Sequence, residues 1–258
     1  MNIIGIIPAR MGSSRFPGKP LAKINGLSMV EHVYHRTKMA ESLTEVYIAT
    51  CDEEIKKTCE LFGGKVIMTA STHQRASDRV AEAMLVIERE QSQKVDIVVM
   101  IQGDEPMVFP DMIDEAVEPI LENDQIKVTN LMASINTQNE QNDRNEIKVV
   151  VDQNNFALYF SREPIPTREK SSEFVPMSKQ VCIIPFDRDY LLKFNQLTPT
   201  PLEIRESIDM LRILEHGGKV KMVPTKFETY SVDTNDDLIK VEKYLENDEL
   251  CSTYKLLK

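Results

Sequence analysis

The N-terminal half of the chain alternates short apolar runs with longer amphipathic stretches. The apolar runs have the length of strands and cover residues 2–7, 45–50, 65–68, 95–101 and 127–134. The stretches between them have helical spacing and cover residues 28–41, 52–62, 77–91 and 110–123. Asp52 and Ser77 are the expected N-caps, and Gly63-Gly64 predicts a helix end. This alternation predicts an α/β fold with a mostly parallel sheet and helices on both faces.

The second half of the chain follows a different pattern. Residues 136–146 are polar and without periodicity, which predicts a loop. Strands are expected at 148–152, 157–160, 180–186 and 219–223, and helices at 187–196, 202–216 and 236–245. A ragged tail to residue 258 would follow. Because no linker is long enough to separate two domains, we expect one domain over residues 1–258, with an excursion at approximately 136–200.

Charge and composition exclude several classes of function. The formal net charge of −10 over 258 residues argues against a nucleic-acid groove or an anionic membrane surface as partner. The chain has neither an apolar run of membrane-spanning length nor a basic signal segment, so we expect a soluble, cytoplasmic protein. Its four cysteines lack metal-ligand spacing, and its four histidines form no hydrolase-like arrangement with Ser, Cys or Asp.

The densest basic cluster lies directly after the first apolar run. In residues 8–20, Arg10, Arg15 and Lys19 alternate with glycine and serine. Glycine lets backbone N–H groups approach phosphate oxygens, and the cations offset the negative charge, so this loop predicts a phosphate site. It matches neither the Walker pattern, because Pro20 follows Lys19, nor the dinucleotide fingerprint. The alternative is a solvated basic surface loop.

Two aspartates follow predicted strands. Asp104 lies in the segment at 102–106 that directly follows the run at 95–101, at the strand end where ligands of parallel sheets bind. Mg²⁺ prefers few carboxylates, with water and phosphate as its other ligands, and Asp104 and Asp233 would suit it. The alternatives are an ordinary turn ended by Pro106 and, for Asp233, the N-terminus of the last helix. Arg162 is equally compatible with a ligand contact and a structural ion pair.

These motifs together resemble those of the 3-deoxy-manno-octulosonate (Kdo) cytidylyltransferases, the CMP-Kdo synthetases. The matching segments run in order along most of the chain, at residues 8–10, 18–21, 68–69, 73–74, 78–82, 102–107, 148–150, 157–162, 201–203, 211–212 and 232–234. The resemblance implies a nucleotidyltransferase-like, Rossmann-like fold with a small inserted dimerisation subdomain. It further implies a homodimer that transfers CMP from CTP to a sugar acid with Mg²⁺, releasing pyrophosphate, for lipopolysaccharide or surface polysaccharide synthesis.

The resemblance also implies roles for individual residues. Asp104 and Asp233 would hold Mg²⁺ and, with Arg10 and Lys19, form the catalytic set. The nucleotide-binding set would be Ala9, Arg10, Ser14, Arg15, Lys19, Ala76 and Ser77, with residues 76–78 facing the cytosine. The set facing the acceptor sugar would be Gln102, Arg162, Gln180, Ile184, Asp187 and Glu206. The excursion at approximately 136–200 would contribute the acceptor pocket and dimer contacts.

Two segments depart from the family pattern. The family's Ser-Gly-Thr-Glu-Arg is Arg-Ala-Ser-Asp-Arg at residues 75–79, so Ala76 adds a methyl group where the backbone should approach the base. In residues 180–187, Gln180 and Ile184 replace a sugar-contacting His and Tyr, and Asp187 replaces a basic residue. CMP-Kdo synthetase remains the leading family label. These changes raise the hypothesis that the acceptor is not Kdo itself but a modified sugar acid, such as an amino-substituted Kdo with Asp187 facing its ammonium group, or another small acid.

Two other classes of function stay open. A nucleotidyltransferase that activates a different small acid or sugar, or uses another base, would retain the metal pair and change residues 75–78. A non-catalytic CTP-binding regulator would retain the basic loop but would not need both Asp104 and Asp233.

Overall fold

The structure, a computed structural model, describes residues 1–12, 16–169 and 174–255, which divide into two units. The first unit comprises Met1–Asp114 and Thr229–Lys258, and the second comprises Glu115–Glu228. The predicted excursion at 136–200 lies within the second unit. The organisation as one domain, and the role of the excursion in acceptor binding and dimer contacts, stay predictions.

The strands and helices are numbered in chain order. The strands are β1 (Ile3–Pro8), β2 (Lys23–Ile24), β3 (Leu27–Ser28), β4 (Glu45–Thr50), β5 (Val66–Met68), β6 (Ile97–Ile101), β7 (Thr129–Ile135), β8 (Lys148–Val151), β9 (Ala157–Ser161), β10 (Met177–Val181), β11 (Ile183–Asp187) and β12 (Lys221–Pro224). The helices are α1 (Met29–Thr37), α2 (Glu53–Leu61), α3 (Ala76–Gln91), α4 (Pro110–Glu122), α5 (Gln138–Asn142), α6 (Arg188–Gln196), α7 (Pro201–Glu206), α8 (Met210–Glu215), α9 (Asn235–Leu245) and α10 (Glu249–Lys255).

A parallel sheet forms the centre of the first unit, with strand order β6-β1-β4-β5. Gly5 of β1 pairs with Val46 on one side and Val99 on the other. Strands β1 and β6 are apolar throughout because helices cover both faces of the sheet; Ile6 and Ile7 of β1, for example, are both fully buried. The predicted α/β fold with a mostly parallel sheet is confirmed.

Two predicted helix signals have different outcomes. Gly63 ends α2 as expected: it adopts a left-handed φ of 76°, and its N–H donates to the carbonyl of Glu60. The prediction of Ser77 as an N-cap is wrong, because α3 begins at Ala76 after the extended residue Arg75 and buries Ser77 in its first turn. The apolar periodicity marks the helix but not its first residue.

A hairpin that the sequence analysis missed links the N-terminal and C-terminal segments of the first unit. Asn25 and Gly26, both with positive φ, join β2 to β3, and the side chain and backbone N–H of Asn25 donate to Glu242 of α9. Apolar residues of the hairpin, α9 and α10 then form one cluster: Ile24, Leu27, Met29, Val232, Val241, Leu245, Cys251 and Tyr254. The expected ragged tail is therefore wrong, because α10 buries part of it.

The second unit contains a mixed sheet with strand order β12-β7-β10-β8-β9. Its β12–β7 pair is parallel, and its other three pairs are antiparallel. The run predicted at 127–134 becomes β7 of this sheet rather than a strand of the parallel one. A run of apolar residues specifies a buried strand but not its partners, which is why the assignment failed.

Three further elements of the second unit correct the predictions. The expected strand 180–186 is two strands interrupted at Cys182, and the expected helix 202–216 is two helices interrupted at Ser207, which has a left-handed φ of 56°. The expected loop at 136–146 contains α5, which Thr137 and Glu140 begin with a capping box. At Cys182 and at Ser207, the apolar spacing continues across the interruption, so the sequence pattern does not show it. In the described part of the chain, no helix is long and apolar enough to cross a membrane.

Candidate active site

The backbone at Lys19 is fixed by the turn that precedes it. Gly18 adopts a left-handed φ of 74° and donates its N–H to the carbonyl of Met11 at 3.2 Å. A short 3₁₀ helix, Lys19–Leu21, follows with the buried Pro20 in its first turn. A residue with a side chain is strained at such a φ, so glycine suits the turn that leads into this helix. The side chain of Lys19 is only 14% exposed.

Two carboxylates converge on the ammonium group of Lys19. Its Nζ lies 2.8 Å from Oδ2 of Asp104 and 3.1 Å from Oδ1 of Asp233. Asp104 follows β6, and Asp233 precedes α9. The side chains of the two aspartates are 23% and 13% exposed, so both pairs are shielded from much of the solvent. Charge-assisted hydrogen bonds of this kind are among the stronger ones in proteins.

Backbone contacts hold Asp233 next to Asp104. The N–H of the buried Val232 donates to the carbonyl of Asp104 at 2.9 Å. Thr234, rather than Asp233, is the N-cap of α9, and it forms a capping box with Asp237. The backbone N–H of Asp233 also donates to Asp237, at 3.1 Å. The helix start therefore uses the residues after Asp233, and the Asp233 carboxylate points to Lys19.

Opposing effects set the pKa of Lys19. Burial disfavours the charged ammonium and lowers the pKa, whereas the charges and hydrogen bonds of Asp104 and Asp233 raise it. The carboxylates outweigh burial, so the pKa lies above its ordinary value. Lys19 is therefore a cation at neutral pH.

The arrangement suits a divalent cation. The Lys19 ammonium is a stand-in cation that both carboxylates reach at once, which shows that their oxygens converge on one point. Among residues 1–12, 16–169 and 174–255, no group of three or more His, Cys, Asp or Glu side chains is placed to hold a metal. Asp104 and Asp233 would hold Mg²⁺ as a carboxylate pair, which leaves its other coordination positions to water and phosphate.

The basic loop begins at the carboxyl end of β1 and is tied to β4. The N–H of the buried Ala9 donates to the carbonyl of Ala49, and the N–H of Met11 donates to the Asp52 carboxylate at 2.8 Å. Arg10 between them is exposed. Asp52 is the N-cap of α2 as expected, although its side chain accepts no capping hydrogen bond from the first turn of the helix. Its position directly after a strand end was the signal for this contact. Ser14 and Arg15 lie outside the described residues.

A second set of contacts supports the segment before α3, where Ala76 and Ser77 lie. Arg79 is buried and donates to Oγ1 of Thr69 at 2.5 Å and to Sγ of Cys51 at 3.6 Å. These three residues were missed as a group, because only the fold brings them together.

His73 is paired with Glu82 of α3, which also accepts the N–H of Ala70 at 2.9 Å. Burial raises the pKa of Glu82, but the hydrogen bonds from Ala70 and His73 outweigh it and hold the pKa below its usual range. Gln102 lies in the same unit, between β6 and Asp104, and is partly buried. The roles predicted for Gln102, Ala76 and Ser77 stay predictions.

In the second unit, Glu206 holds Arg162. Its carboxylate accepts the backbone N–H of Arg162 at 2.9 Å, and Nε of Arg162 donates to the Glu206 carbonyl at 2.6 Å. The same carboxylate accepts the hydroxyls of Tyr159 and Ser161 at 3.2 and 3.4 Å. Burial and the Glu206 charge raise the pKa of Tyr159. The guanidinium of Arg162 donates to the backbone carbonyls of Glu206 and Arg144, so among the described residues it has structural hydrogen bonds but not the ion pair that the sequence left as one alternative. Its role toward the acceptor stays a prediction.

The three departures from the family pattern at residues 180–187 have distinct surroundings. Nε2 of Gln180 donates to Oδ1 of Asn130 at 2.5 Å, and Ile184 is buried. Asp187 is the N-cap of α6: one carboxylate oxygen accepts the N–H of Tyr190 at 2.9 Å, and the other lies 3.2 Å from Nζ of Lys127. Both oxygens of Asp187 therefore already have partners in the protein.

Comparison with known proteins identifies the family. The cytidylyltransferase family model matches residues 4–226. A 3-deoxy-manno-octulosonate cytidylyltransferase of Geobacter metallireducens is 42% identical over 255 residues, covering 95% of this chain and 98% of the relative. The chain belongs to the 3-deoxy-manno-octulosonate cytidylyltransferase family. A second member, from Geobacter sulfurreducens, is 42% identical over 251 residues and covers 93% of this chain and 98% of its own.

A solved structure agrees with this family assignment. The structure of CMP:2-keto-3-deoxy-manno-octonic acid synthetase complexed with CTP superposes with a TM-score of 0.86. It is 34% identical and covers 95% of this chain and 99% of its own. The nucleotidyltransferase-like fold expected from the motifs is confirmed, as is the resemblance to this family of cytidylyltransferases.

Proposed function

We propose that this cytidylyltransferase transfers CMP from CTP to 3-deoxy-manno-octulosonate and releases pyrophosphate. Relatives that match this chain over nearly their whole length are named for that activity, and the related solved structure is a complex with CTP. The observation that carries the proposal is the convergence of Asp104 and Asp233 on Lys19 beside the basic loop. A CTP-binding regulator would not require two convergent carboxylates.

The chain's own residues act by position and charge. The anomeric hydroxyl of the sugar acid attacks the α-phosphorus and gives up its proton to solvent. The bond from the α-phosphorus to the bridging oxygen of the β-phosphate breaks, and pyrophosphate leaves with the electron pair. Arg10 and Lys19 neutralise the negative charge that develops on the leaving group. Asp104 and Asp233 would hold Mg²⁺, which when bound would supply a Lewis acid for the phosphate and lower the pKa of the attacking hydroxyl.

The acceptor side of the proposal rests on Arg162 of the second unit. Arg162 is a fixed cation, because Glu206 holds both its backbone and its side chain, and a fixed cation suits the carboxylate of a sugar acid. Asp187 does not favour an amino-substituted sugar, since both its oxygens have protein partners. We therefore place Kdo first. We further propose that the enzyme depends on Mg²⁺ and acts as a cytoplasmic homodimer in lipopolysaccharide synthesis.

The test is pyrophosphate release with CTP and Mg²⁺ across a panel of sugar acids that includes Kdo and 8-amino-Kdo. We expect the highest kcat/KM with Kdo, and with CTP over UTP, GTP and ATP. Asp104→Asn should remove turnover, and the matched control Asp111→Asn, at an exposed position in the first turn of α4, should retain it. Faster turnover of another acid would reassign the acceptor. CTP binding without turnover of any acid would contradict the enzyme assignment.

A further inference from the structure

The Lys19 ammonium occupies the point that a metal ion would need. Its Nζ contacts Asp104 and Asp233 at 2.8 and 3.1 Å, and these are the carboxylates assigned to Mg²⁺ in the proposed function. Two cations cannot share one pair of carboxylate oxygens, because like charges a few ångströms apart repel strongly in a partly buried site. The Lys19 position seen here and a metal-bound site therefore exclude each other.

We propose that Lys19 is an internal competitor for the metal, which leaves the carboxylates when Mg²⁺ arrives with nucleotide phosphate. The side chain then has two positions, one on Asp104 and Asp233 and one on phosphate. This inference rests on the proposed function, because it takes Mg²⁺ as the ion. Its consequence is ordered loading: the protein without nucleotide binds a divalent cation weakly, and phosphate relieves the competition by attracting Lys19.

The local structure lets the Lys19 side chain move while its surroundings stay in place. The backbone is anchored by the Gly18 turn and by Pro20 in the 3₁₀ helix. The lysine side chain carries a compact ammonium on four flexible carbons, so it can exchange partners without backbone change. An arginine at this position would be less able to do so, because its planar guanidinium binds carboxylates in a fixed orientation.

The carboxylates themselves are held by the backbone. The Asp104 carbonyl accepts the Val232 N–H, and the Asp233 N–H donates to Asp237. The backbones of both aspartates are therefore held by contacts that do not involve Lys19. Two carboxylates held this close repel each other unless a cation lies between them. Lys19 thus stabilises the pair until a metal ion replaces it.

The first test measures divalent-cation affinity in the absence of nucleotide. Mn²⁺ prefers the same oxygen ligands as Mg²⁺, and free Mn²⁺ is counted by electron paramagnetic resonance. Lys19→Met removes the competing charge and retains a flexible side chain of similar length. We expect it to bind Mn²⁺ ~10-fold more tightly than the wild type, which corresponds to about 1.4 kcal/mol. The control Lys23→Met, at an exposed position of β2, should leave the affinity unchanged.

Adding Asp104→Asn to Lys19→Met should abolish the gain in affinity, which assigns the tighter site to the carboxylates. Equal or weaker Mn²⁺ binding by a folded Lys19→Met variant would overturn the proposal. Circular dichroism establishes whether each variant is folded.

The second test uses the wild-type protein and so does not depend on a variant that folds. Reductive methylation followed by mass spectrometry reports how accessible each lysine amine is. Saturating Mg²⁺ should increase the methylation rate of Lys19 relative to that of Lys23, because the metal displaces the ammonium from the carboxylates. An unchanged ratio would contradict the proposal. Neither test contains CTP, sugar or turnover, so failure here leaves the proposed activity standing, and failure of the activity leaves these results standing.

Discussion

The hydroxyl of Tyr254 lies 2.7 Å from Nδ1 of His32 and links the last helix of the chain to the first. Nε2 of His32 lies 2.9 Å from the carbonyl of Ile24, which can only accept a hydrogen bond. Burial lowers the pKa of His32 to about 4, so the ring is neutral, with its proton on Nε2. The Tyr254 hydroxyl therefore donates to Nδ1, and Nε of Arg36 donates to the hydroxyl at 3.3 Å.

Tyr254→Phe should destabilise the protein. The change leaves Nδ1 of His32 and Nε of Arg36 buried without this partner, and each such loss costs ~1–3 kcal/mol. Urea denaturation at pH 7.5 measures the difference. The control is Tyr244→Phe. Because Tyr244 is 44% exposed, loss of its hydroxyl should leave the urea midpoint of unfolding nearly unchanged. Equal midpoints for wild type and Tyr254→Phe would argue against the network.

His32 predicts a loss of stability in mild acid. Its pKa is near 6.5 in the unfolded chain and about 4 in the folded protein, so between these values the unfolded state binds more protons. The contribution of His32 is complete above pH 6.5 and is lost as the pH falls toward 4, with a slope of up to ~1.4 kcal/mol per pH unit. Urea denaturation at a series of pH values measures this slope.

Replacing His32 should reduce the slope of the unfolding free energy against pH by the contribution of one titrating group. His32→Gln is the test variant, and His216→Gln is the control because His216 is exposed. If the two variants have the same slope as the wild type, His32 is not the group that titrates.

The buried ion pair between Glu203 and Arg212 should be necessary for the fold of the second unit. Nε and Nη2 of Arg212 donate to the two Glu203 oxygens at 2.7 and 2.5 Å, and both side chains are almost completely buried. Arg212→Leu leaves a buried carboxylate uncompensated and should cost ~3–5 kcal/mol. The double variant Glu203→Leu/Arg212→Leu should lose less, and a thermal denaturation cycle of the four proteins measures the coupling. A double variant less stable than Arg212→Leu would contradict this account.

Glu206→Gln should weaken binding of the acceptor sugar without weakening binding of the nucleotide. The Glu206 carboxylate fixes the Arg162 backbone by accepting its N–H, and it also accepts the hydroxyls of Tyr159 and Ser161, whereas an amide has only one oxygen to accept these three donors. We expect KM for Kdo to rise ~10-fold, as for loss of one charged hydrogen bond, with KM for CTP within about 2-fold of wild type. Initial rates with each substrate varied in turn measure both constants. The control Glu122→Gln, exposed at the end of α4, should change neither. A parallel rise in both KM values would indicate a general structural effect.

Much of the first unit could be predicted because its signals are local. The predicted strand at 45–50 and the end of α2 at Gly63 follow from apolar run length and one conformational requirement of glycine. The positions of Arg10 and Asp104 near strand ends follow in the same way, because the carboxyl ends of parallel strands share one edge of the sheet. The predictions for the second unit failed at Cys182 and Ser207, because single residues there interrupt an apolar pattern that continues on both sides.

The sequence by itself determined the alternation of strands and helices, the basic loop and the family to which the motifs belong. Only the tertiary structure decided that Asp233, 214 residues from Lys19, reaches its ammonium group. That contact depends on Val232 and Tyr254 burying their side chains beside the β2–β3 hairpin and on one backbone hydrogen bond to Asp104. Such contacts join segments that are distant along the chain, and no local pattern encodes them, because hydrophobic burial specifies that a residue is covered but not by what.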